Sequence, residues 1–413
     1  MGAAIQEPAS RIKAGSADVT LTPVTLPAGA PAALVVDVDA IAANVRALRE
    51  RSRSAELMAV VKADGYGHGL LPSARAAQAG GATWLGTATL AEALLLREAG
   101  IGGRILSWLH VPGTDFSAAL EHDIDVSASA QWALDHIAAA ARRTGRTARV
   151  HLKADTGLGR NGAYGKDFLD LVAAARLLES EQLLRVVGVW SHFAYADEPE
   201  HSTVRRQREV FEEAVRAVEA AGCRPEVRHL ANSAATLTNP AVHYDLVRPG
   251  ISVYGLSPVP QLGGPEAYGL TPAMSLIARL ANVKRVPAGQ GVSYGHAYTT
   301  PTETKLGLVP LGYADGIPRH ASNVGPVSVA GRHLAVAGRV CMDQFVIDLG
   351  PESQARAGDE VVLFGPDPGG PTAQDWADAV GTISYEIVSR VGPRIPRVVV
   401  GTAGLADLKG QVA

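Results

Sequence analysis

The sequence has few cysteines, almost no excess charge and no long apolar run. Its two cysteines, Cys223 and Cys341, lie far apart and form no CxxC or CxxH spacing, so zinc and redox chemistry are not indicated and a reduced, cytoplasmic chain is the simplest interpretation. Lys and Arg number 38 against 41 Asp and Glu, which argues against nucleic acid as a partner. No apolar run is long enough to cross a membrane.

The chain does contain enough apolar material for a large core. Of its 413 residues 47% are hydrophobic, so two domains are expected. Residues 1–32 are rich in Ala, Gly, Pro and Ser and are predicted to form a disordered leader. From 33 to 269, short β-branched runs alternate with amphipathic stretches, which predicts α/β structure with a parallel sheet.

The number of strand candidates indicates a closed barrel. After an opening strand at 34–38, eight further candidates follow, the number that forms a (β/α)8 barrel of the TIM type. The opening strand is therefore a candidate member of the second domain. Residues 270–413 have β runs separated by Gly, Pro and Asp turns, which predicts a mostly antiparallel β domain interrupted by one helix at 372–391.

One predicted barrel strand ends in a lysine. The strand 57–62 runs into Lys62 and then into a glycine-rich segment, so the lysine would stand at the C-terminal rim, where active sites of barrels form. Poor solvation there favours the neutral amine, a nucleophile able to form a Schiff base. From these residues alone, an ion-paired lysine followed by a flexible turn is an equally good interpretation.

The segment AVVKADGYGHG at 59–69 resembles the cofactor-lysine motif of the bacterial alanine racemase family. Further blocks extend the resemblance from about residue 33 to about residue 400. The resemblance implies a fold-type III enzyme whose cofactor is pyridoxal 5′-phosphate, bound covalently by Lys62. It also implies interconversion of L-alanine and D-alanine by a two-base mechanism, with D-alanine supplied for peptidoglycan.

The block HLKADTGLGRNG at 151–162 is similar to the substrate-arginine block of that family. The resemblance implies that Arg160 binds the substrate carboxylate, and that Lys153 is a lysine that is often carbamylated and positions the arginine. Without the resemblance, Arg160 offers a planar fork that suits a carboxylate. A surface arginine would have the same spacing.

Two more blocks resemble cofactor-binding segments of the family, WSHFAYAD at 190–197 and VRPGISVYG at 247–255. They imply that His192 packs near the cofactor ring and that Arg248 donates a hydrogen bond to the ring nitrogen. Because arginine stays protonated, it weakens the ring as an electron sink and favours racemisation. The other implied cofactor ligands are Tyr66, Asn232, Ser233, Gly250, Ile251 and Tyr385. The spacing of His192, Asp197 and His201 fits no metal-ligand pattern, so no metal is predicted.

The block GVSYGH at 291–296 resembles the segment of the family that carries a tyrosine base. Racemisation needs a base on each face of a planar intermediate, and one lysine cannot serve both. The resemblance implies that Tyr294 is the second base, that it contacts the substrate, and that it acts in the active site of a partner subunit, so a homodimer is expected. Met342 would lie near the substrate carboxylate. The residues implied for the corridor leading to the site are Asp197, Tyr313, Arg319 and Arg339.

Three other functions fit part of the pattern. A racemase of broader range, acting on serine or basic amino acids, would use the same two bases, although the bulk of Tyr385 favours a methyl side chain. A decarboxylase of the ornithine or lysine type relies on an acidic partner for the ring nitrogen, which Arg248 is not. A non-catalytic protein that carries pyridoxal phosphate would have no use for a β domain with Tyr294.

Overall fold

The computed structural model describes residue 26, residues 29–367 and residues 369–405. Most of the predicted leader, 1–32, lies outside these residues. Within it, Leu26 is buried against Ala33, Val35 and Ile277, and Ala32 begins the first strand.

Among the described residues, strands and helices alternate in the first part of the chain, and strands predominate in the second part, as the sequence pattern predicts. The strands are β1 (Ala32–Asp37), β2 (Glu56–Val60), β3 (Trp84–Thr87), β4 (Arg104–Ser107), β5 (Asp125–Ala128), β6 (Ala148–Lys153), β7 (Leu184–Trp190), β8 (Val227–His229), β9 (Leu246–Val247), β10 (Met274–Arg279), β11 (Asn282–Val286), β12 (Gly291–Val292), β13 (Tyr298–Thr299), β14 (Thr304–Val309), β15 (Pro326–Val329), β16 (Arg332–Ala335), β17 (Phe345–Asp348), β18 (Glu360–Phe364) and β19 (Arg397–Val400). The α-helices are Val38–Arg51, Leu70–Ala79, Leu90–Glu98, Ser117–Glu121, Gln131–Thr144, Lys166–Ser180, Ser202–Ala220, Ser233–Thr238, Ala373–Val380 and Ser384–Ser389. A further helical turn, Lys62–Tyr66, has an unusual conformation that is described with the site. The 3-10 helices are Pro240–Val242, Ile251–Tyr254, Pro265–Tyr268, Tyr294–His296, Tyr313–Asp315 and Arg319–Ala321.

Eight parallel strands form a barrel in the order β8-β7-β6-β5-β4-β3-β2-β9. Two backbone hydrogen bonds, from Asp245 N to Arg228 O and from Arg248 N to Ala231 O, join the two end strands and close the sheet. The helices between the strands cover the outside with apolar faces, such as Ile41, Val45 and Leu48 of the first helix. This confirms the predicted (β/α)8 fold of the first domain.

The second domain is built on a six-stranded sheet of order β16-β15-β18-β10-β1-β19. The opening strand β1 belongs to this sheet, where it pairs antiparallel with β10 and parallel with β19. A three-stranded sheet, β11-β14-β17, and the pair β12-β13 complete the domain. The predicted class, a barrel followed by a mostly antiparallel β domain, is confirmed.

The predicted single helix 372–391 is wrong. Two helices, Ala373–Val380 and Ser384–Ser389, occupy this segment. Thr372 caps the first with a hydrogen bond from Asp375 N, and Gly381 ends it with a left-handed φ of 72°, the usual conformation for a glycine at a helix C-terminus.

None of the helices in the described part of the chain is both long and apolar enough to cross a membrane. Nor do its residues bring together three or more His, Cys, Asp or Glu side chains in a group suited to a metal ion.

Candidate active site

A cleft of about 300 Å³ opens at the C-terminal ends of the barrel strands, the position where barrel enzymes place their active sites. Its volume suits a small-molecule ligand. The lining residues are Val60, Lys62, Tyr66, Trp108, Lys153, Arg160, Trp190, His192, Asn232, Ser233, Arg248, Gly250, Ile251 and Tyr385. The structure therefore brings together all the residues that the sequence predicts as cofactor ligands, together with Arg160 and Lys153.

Lys62 is held by a strained turn. The three residues Ala63, Asp64 and Tyr66 have φ values of 53°, 53° and 54°, in the left-handed region that costs a non-glycine residue roughly 1–2 kcal/mol. Hydrogen bonds to groups outside the turn hold it in place, because Glu92 accepts one from Ala63 N at 2.7 Å and the Asp64 side chain accepts one from Leu70 N at 2.7 Å. Such strain persists only where the surroundings impose it, and it clusters at functional sites.

The amine of Lys62 is shifted toward its neutral form. Burial lowers the pKa of Lys62, and the positive charge of Arg160 lowers it further, while Glu92 acts in the opposite direction. A neutral amine is the form that attacks a carbonyl carbon. The environment therefore favours nucleophilic chemistry at this lysine.

Arg248 lies at the base of the cleft, where only 5% of it is exposed. Its guanidinium donates to Ser191 O at 2.8 Å and to Leu230 O at 3.3 Å. It lies over the ring of Trp190, 5.0 Å from the centroid. Burial lowers the pKa of Arg248 to about 9, which still leaves the side chain protonated at neutral pH. Arg248 is thus a fixed cation and donor.

Behind Arg248, a chain of buried histidines crosses the barrel interior. Arg248 contacts His229 Nδ1 at 3.3 Å, His229 Nε2 contacts His151 Nδ1 at 2.8 Å, and His151 Nε2 contacts Asp125 Oδ2 at 3.1 Å. Because arginine can only donate and an ionised carboxylate can only accept, the two ends fix the tautomer of both histidines. Each imidazole is neutral and carries its proton on Nε2.

Three further side chains line the cleft, those of Lys153, Arg160 and His192. Burial lowers the pKa of Lys153 to about 7, and Arg248 and Arg160 add to this effect. Burial and the charge of Arg248 also hold the pKa of His192 well below 6.5. Arg160 follows a turn whose amides at 157, 158 and 159 all donate to Asp155 Oδ1, at 2.9, 3.0 and 3.2 Å. Asp155 therefore fixes the turn that presents Arg160.

At another part of the cleft, hydroxyl and amide groups converge. Ser233 Oγ accepts hydrogen bonds from Gly250 N at 2.8 Å and Ser252 N at 3.4 Å. A Cβ added to Gly250 would lie 2.2 Å from the hydroxyl of Tyr66, so glycine is required for the backbone to approach this closely. Small polar groups that converge in this way are suited to an anion.

The residues predicted to act from the β domain lie outside this cleft. Tyr294 is 70% exposed, and Met342 and Tyr313 are also exposed. Ser293, next to Tyr294, donates to Arg339 O at 2.7 Å, and Ala314 N donates to Met342 O at 3.0 Å. The remaining corridor candidates, Asp197, Arg319 and Arg339, are exposed as well. Of this group, Asp197 is close enough to Tyr385 to help burial raise the pKa of that hydroxyl.

The sequence analysis missed several residues that shape the site. Trp108 and Trp190 line the cleft with their rings 5.9 Å apart, and His151 and His229 support Arg248 from behind. The two tryptophans could have been found, because each lies at the C-terminal end of a predicted strand, the position that also singles out Lys62. The contact between the two histidines depends on the register of strands within the barrel, which the sequence does not reveal.

The donor set fits pyridoxal phosphate. Four basic side chains, Lys62, Lys153, Arg160 and Arg248, line the cleft, and in the part of the chain that the structure describes no Asp or Glu lines it with them. An anionic ligand is therefore favoured. Lys62 provides a primary amine for an aldehyde, Arg248 a buried donor for a ring nitrogen, and Ser233 and Tyr66 hydroxyls for a phosphate.

Comparison with known proteins agrees with this arrangement. The sequence matches the profile of the alanine racemase N-terminal domain over residues 36–258 and that of the alanine racemase C-terminal domain over residues 273–399. It is 62% identical over 364 residues to an alanine racemase of Frankia casuarinae, an alignment that covers 88% of this chain and 94% of the relative.

Solved structures of similar proteins extend the match to three dimensions. The alanine racemase of Streptomyces coelicolor A3(2) is 60% identical, with a TM-score of 0.89 and coverage of 90% of this chain and 98% of that one. The alanine racemase of a D-cycloserine-producing Streptomyces lavendulae is 58% identical, with the same TM-score and coverage. The resemblance inferred from the sequence motifs is confirmed. The chain belongs to the alanine racemase family.

Proposed function

We propose that the chain interconverts L-alanine and D-alanine in this cleft, with pyridoxal 5′-phosphate as cofactor and Lys62 and Tyr294 as the two bases. The observation that carries the proposal is the convergence on one cleft of a Lys62 amine of lowered pKa and a buried Arg248 that is protonated at neutral pH. Membership of the alanine racemase family supports the choice of reaction.

When bound, pyridoxal phosphate supplies an aldehyde that can be linked to an amine and a ring that draws electrons from the substrate Cα. Lys62 would hold it through its neutral amine, and the same amine would move a proton to or from one face of the substrate Cα. Arg248 would donate to the ring nitrogen without protonating it, because the guanidinium retains its proton. Ser233, Tyr66 and the backbone at Gly250 and Ile251 would bind the phosphate, with Asn232 beside them.

Binding of the substrate carboxylate falls to Arg160. Its fork can donate two parallel hydrogen bonds to a carboxylate, and the turn held by Asp155 limits its mobility. Carbamylation of Lys153 would replace a cation beside Arg160 with an anion. The pKa of about 7 leaves a substantial fraction of Lys153 in the neutral form that reacts with carbon dioxide.

A second base has to reach the opposite face of Cα. We infer that Tyr294 supplies it to the cleft of a second copy, because Tyr294 is 70% exposed and does not line the cleft of its own chain. In a homodimer with twofold symmetry, each cleft would receive one Tyr294. Met342, Tyr313, Arg319 and Arg339 of the β domain are also exposed and would approach the same cleft.

Proton exchange measures the reaction directly. In D₂O with added cofactor, the purified protein should remove the Cα proton signal of L-alanine and drive its optical rotation to zero, and D-alanine should behave in the same way. L-serine and L-lysine, tested at matched concentrations, reveal a broader racemase. Absence of exchange with all of these amino acids would refute the proposal, whereas preferential exchange of serine or lysine would refute only the assignment of alanine.

A further inference from the structure

The helix Ser202–Ala220 carries a glutamine that is turned inward. Gln207 is 1% exposed, although much of this helix faces solvent. Burying an amide is costly unless its polar atoms form hydrogen bonds. The partners of Gln207 therefore indicate why a glutamine is present at this position.

The amide of Gln207 joins two loops of the barrel rim. Its Oε1 accepts from Ala194 N at 2.8 Å, and its Nε2 donates to His192 O at 3.1 Å and to Thr156 Oγ1 at 3.2 Å. Thr156 Oγ1 also lies 2.8 Å from Ser191 Oγ. Gln207, Thr156 and Ser191, all buried, are called the polar clamp below.

The two loops that the polar clamp joins carry different functional side chains. One runs from Thr156 through the turn at 157–159 to Arg160, and the Cγ of Gln207 lies 3.8 Å from the position of a Cβ added to Gly157. The other carries His192. The clamp residues do not line the cleft themselves. Any effect on the site acts through Arg160 and His192, and through Arg248, whose guanidinium donates to Ser191 O.

We propose that Gln207 is a positioning residue that sets the placement of Arg160 relative to His192, and with it the affinity of the cleft for the carboxylate of an amino acid. The proposal rests on the proposed function, since it assumes that Arg160 binds the substrate carboxylate. Three hydrogen bonds from one buried side chain leave both loops little freedom to move independently. Small displacements of a group that orients the substrate have large consequences for binding and rate.

The test replaces Gln207 with Leu, which has a similar volume and no polar atoms, and with Glu, which sets a carboxylate oxygen against the His192 carbonyl. The probe is propionate, which is alanine without its amino group. It is titrated into the cofactor-loaded protein while the tryptophan fluorescence is followed, to which Trp108 and Trp190 of the cleft contribute. Both variants should bind propionate about tenfold more weakly and raise the KM for alanine more than they lower kcat. Wild-type propionate affinity and KM in Gln207→Leu would overturn the proposal.

A matched control separates positioning from loss of stability. Val218 is fully buried on the same helix, about three turns from Gln207. Val218→Ala should lower the unfolding midpoint and leave the affinity for propionate unchanged. An equal loss of propionate affinity in this control would assign the effect to general destabilisation and overturn the proposal.

Thr156 provides a second pair of variants, which decides the matter if Gln207→Leu does not fold. Thr156→Val removes the hydroxyl and should weaken propionate binding, whereas Thr156→Ser retains the hydroxyl and should restore it. Equal affinities for these two variants would contradict the clamp. If the wild-type protein neither binds propionate nor racemises alanine, the proposed function fails instead.

Discussion

The barrel cleft and the exposed surface around Tyr294 differ in how firmly contacts within the chain hold their side chains. In the cleft, Arg248 is buried and Lys62 is held by a turn that other side chains stabilise. Around Tyr294 the side chains project into solvent, and Tyr294 itself is 70% exposed. The residues proposed to bind the cofactor are thus arranged within one chain, whereas Tyr294, the proposed second base, does not line the cleft of its own chain.

The largest effect on racemisation is expected from a change in the barrel cleft. Lys62→Ala should lower racemisation by at least about 10⁴-fold, because both the covalent attachment of the cofactor and one base are lost. The absorption band of the lysine-linked cofactor should disappear from the spectrum of the purified protein. A variant that keeps this band would show that another amine holds the cofactor.

The next largest effect on racemisation is expected from a change at the exposed Tyr294. Tyr294→Phe removes only a hydroxyl and should slow racemisation by about 10²–10⁴-fold, while the cofactor spectrum stays as in the wild type. Tyr298→Phe is the control, since this nearby tyrosine donates to Asp348 within the β domain and should leave racemisation unchanged. Equal rates for Tyr294→Phe and the wild type would remove Tyr294 from the mechanism.

A smaller effect, on the free energy of unfolding, is expected at Asp125, which ends the chain of hydrogen bonds behind Arg248. Asp125→Asn weakens the ion pairs with Arg104 and Arg149 and the bond to His151. Because the two arginines are partly exposed, we expect the free energy of unfolding in urea to fall by about 2–3 kcal/mol rather than by the larger cost of a fully buried pair.

The difference between Asp125→Asn and the wild type should depend on pH. Burial acts to raise the pKa of Asp125, but the hydrogen bond from His151 and the charge and hydrogen bond of Arg104 outweigh it and lower that pKa. The stabilisation is therefore fully present above about pH 4, the pKa of an unfolded aspartate, and is lost as the pH falls through the lowered folded value. A difference that grows on acidification would contradict this assignment.

The smallest effect concerns Lys153 at the edge of the cleft. Because its pKa is about 7, the neutral fraction rises as the pH passes from 6 to 8, and carbamylation should rise with it. Protein incubated with ¹³C-bicarbonate should show a carbamate resonance that is stronger at pH 8 than at pH 6 and absent in Lys153→Arg. A carbamate signal of equal strength in Lys153→Arg would place the modification on another amine.

Much of the fold and of the cleft follows from the sequence, because both depend on local patterns. The alternation of β-branched runs with amphipathic stretches predicts the barrel, and the position of Lys62 at a strand end predicts its place at the rim. The left-handed turn after Lys62 does not follow, since Ala63, Asp64 and Tyr66 adopt φ values that their residue types disfavour. Tertiary contacts such as the bond from Ala63 N to Glu92 impose it.

Features that depend on contacts between distant segments are the ones that sequence analysis misses. The sequence pattern does not reveal the break at Gly381, because a single glycine can also lie inside a helix at a modest cost. The inward turn of Gln207 and the chain from Arg248 to Asp125 depend on which strands and loops are neighbours in the barrel. Under the proposed function Tyr294 acts in the cleft of a second copy of the chain, and neither the sequence pattern nor one folded chain determines its position relative to that cleft.

Mixing two inactive variants tests most directly whether Tyr294 of one chain completes the cleft of another. When Lys62→Ala and Tyr294→Phe proteins are dissociated, mixed in equal amounts and reassociated, half of the dimers should combine one chain of each kind. If Tyr294 acts in the partner's cleft, each mixed dimer has one intact site, and the mixture should recover about a quarter of wild-type racemisation. If no activity returns although mixed dimers are shown to form, Tyr294 does not act across the dimer and the account is wrong.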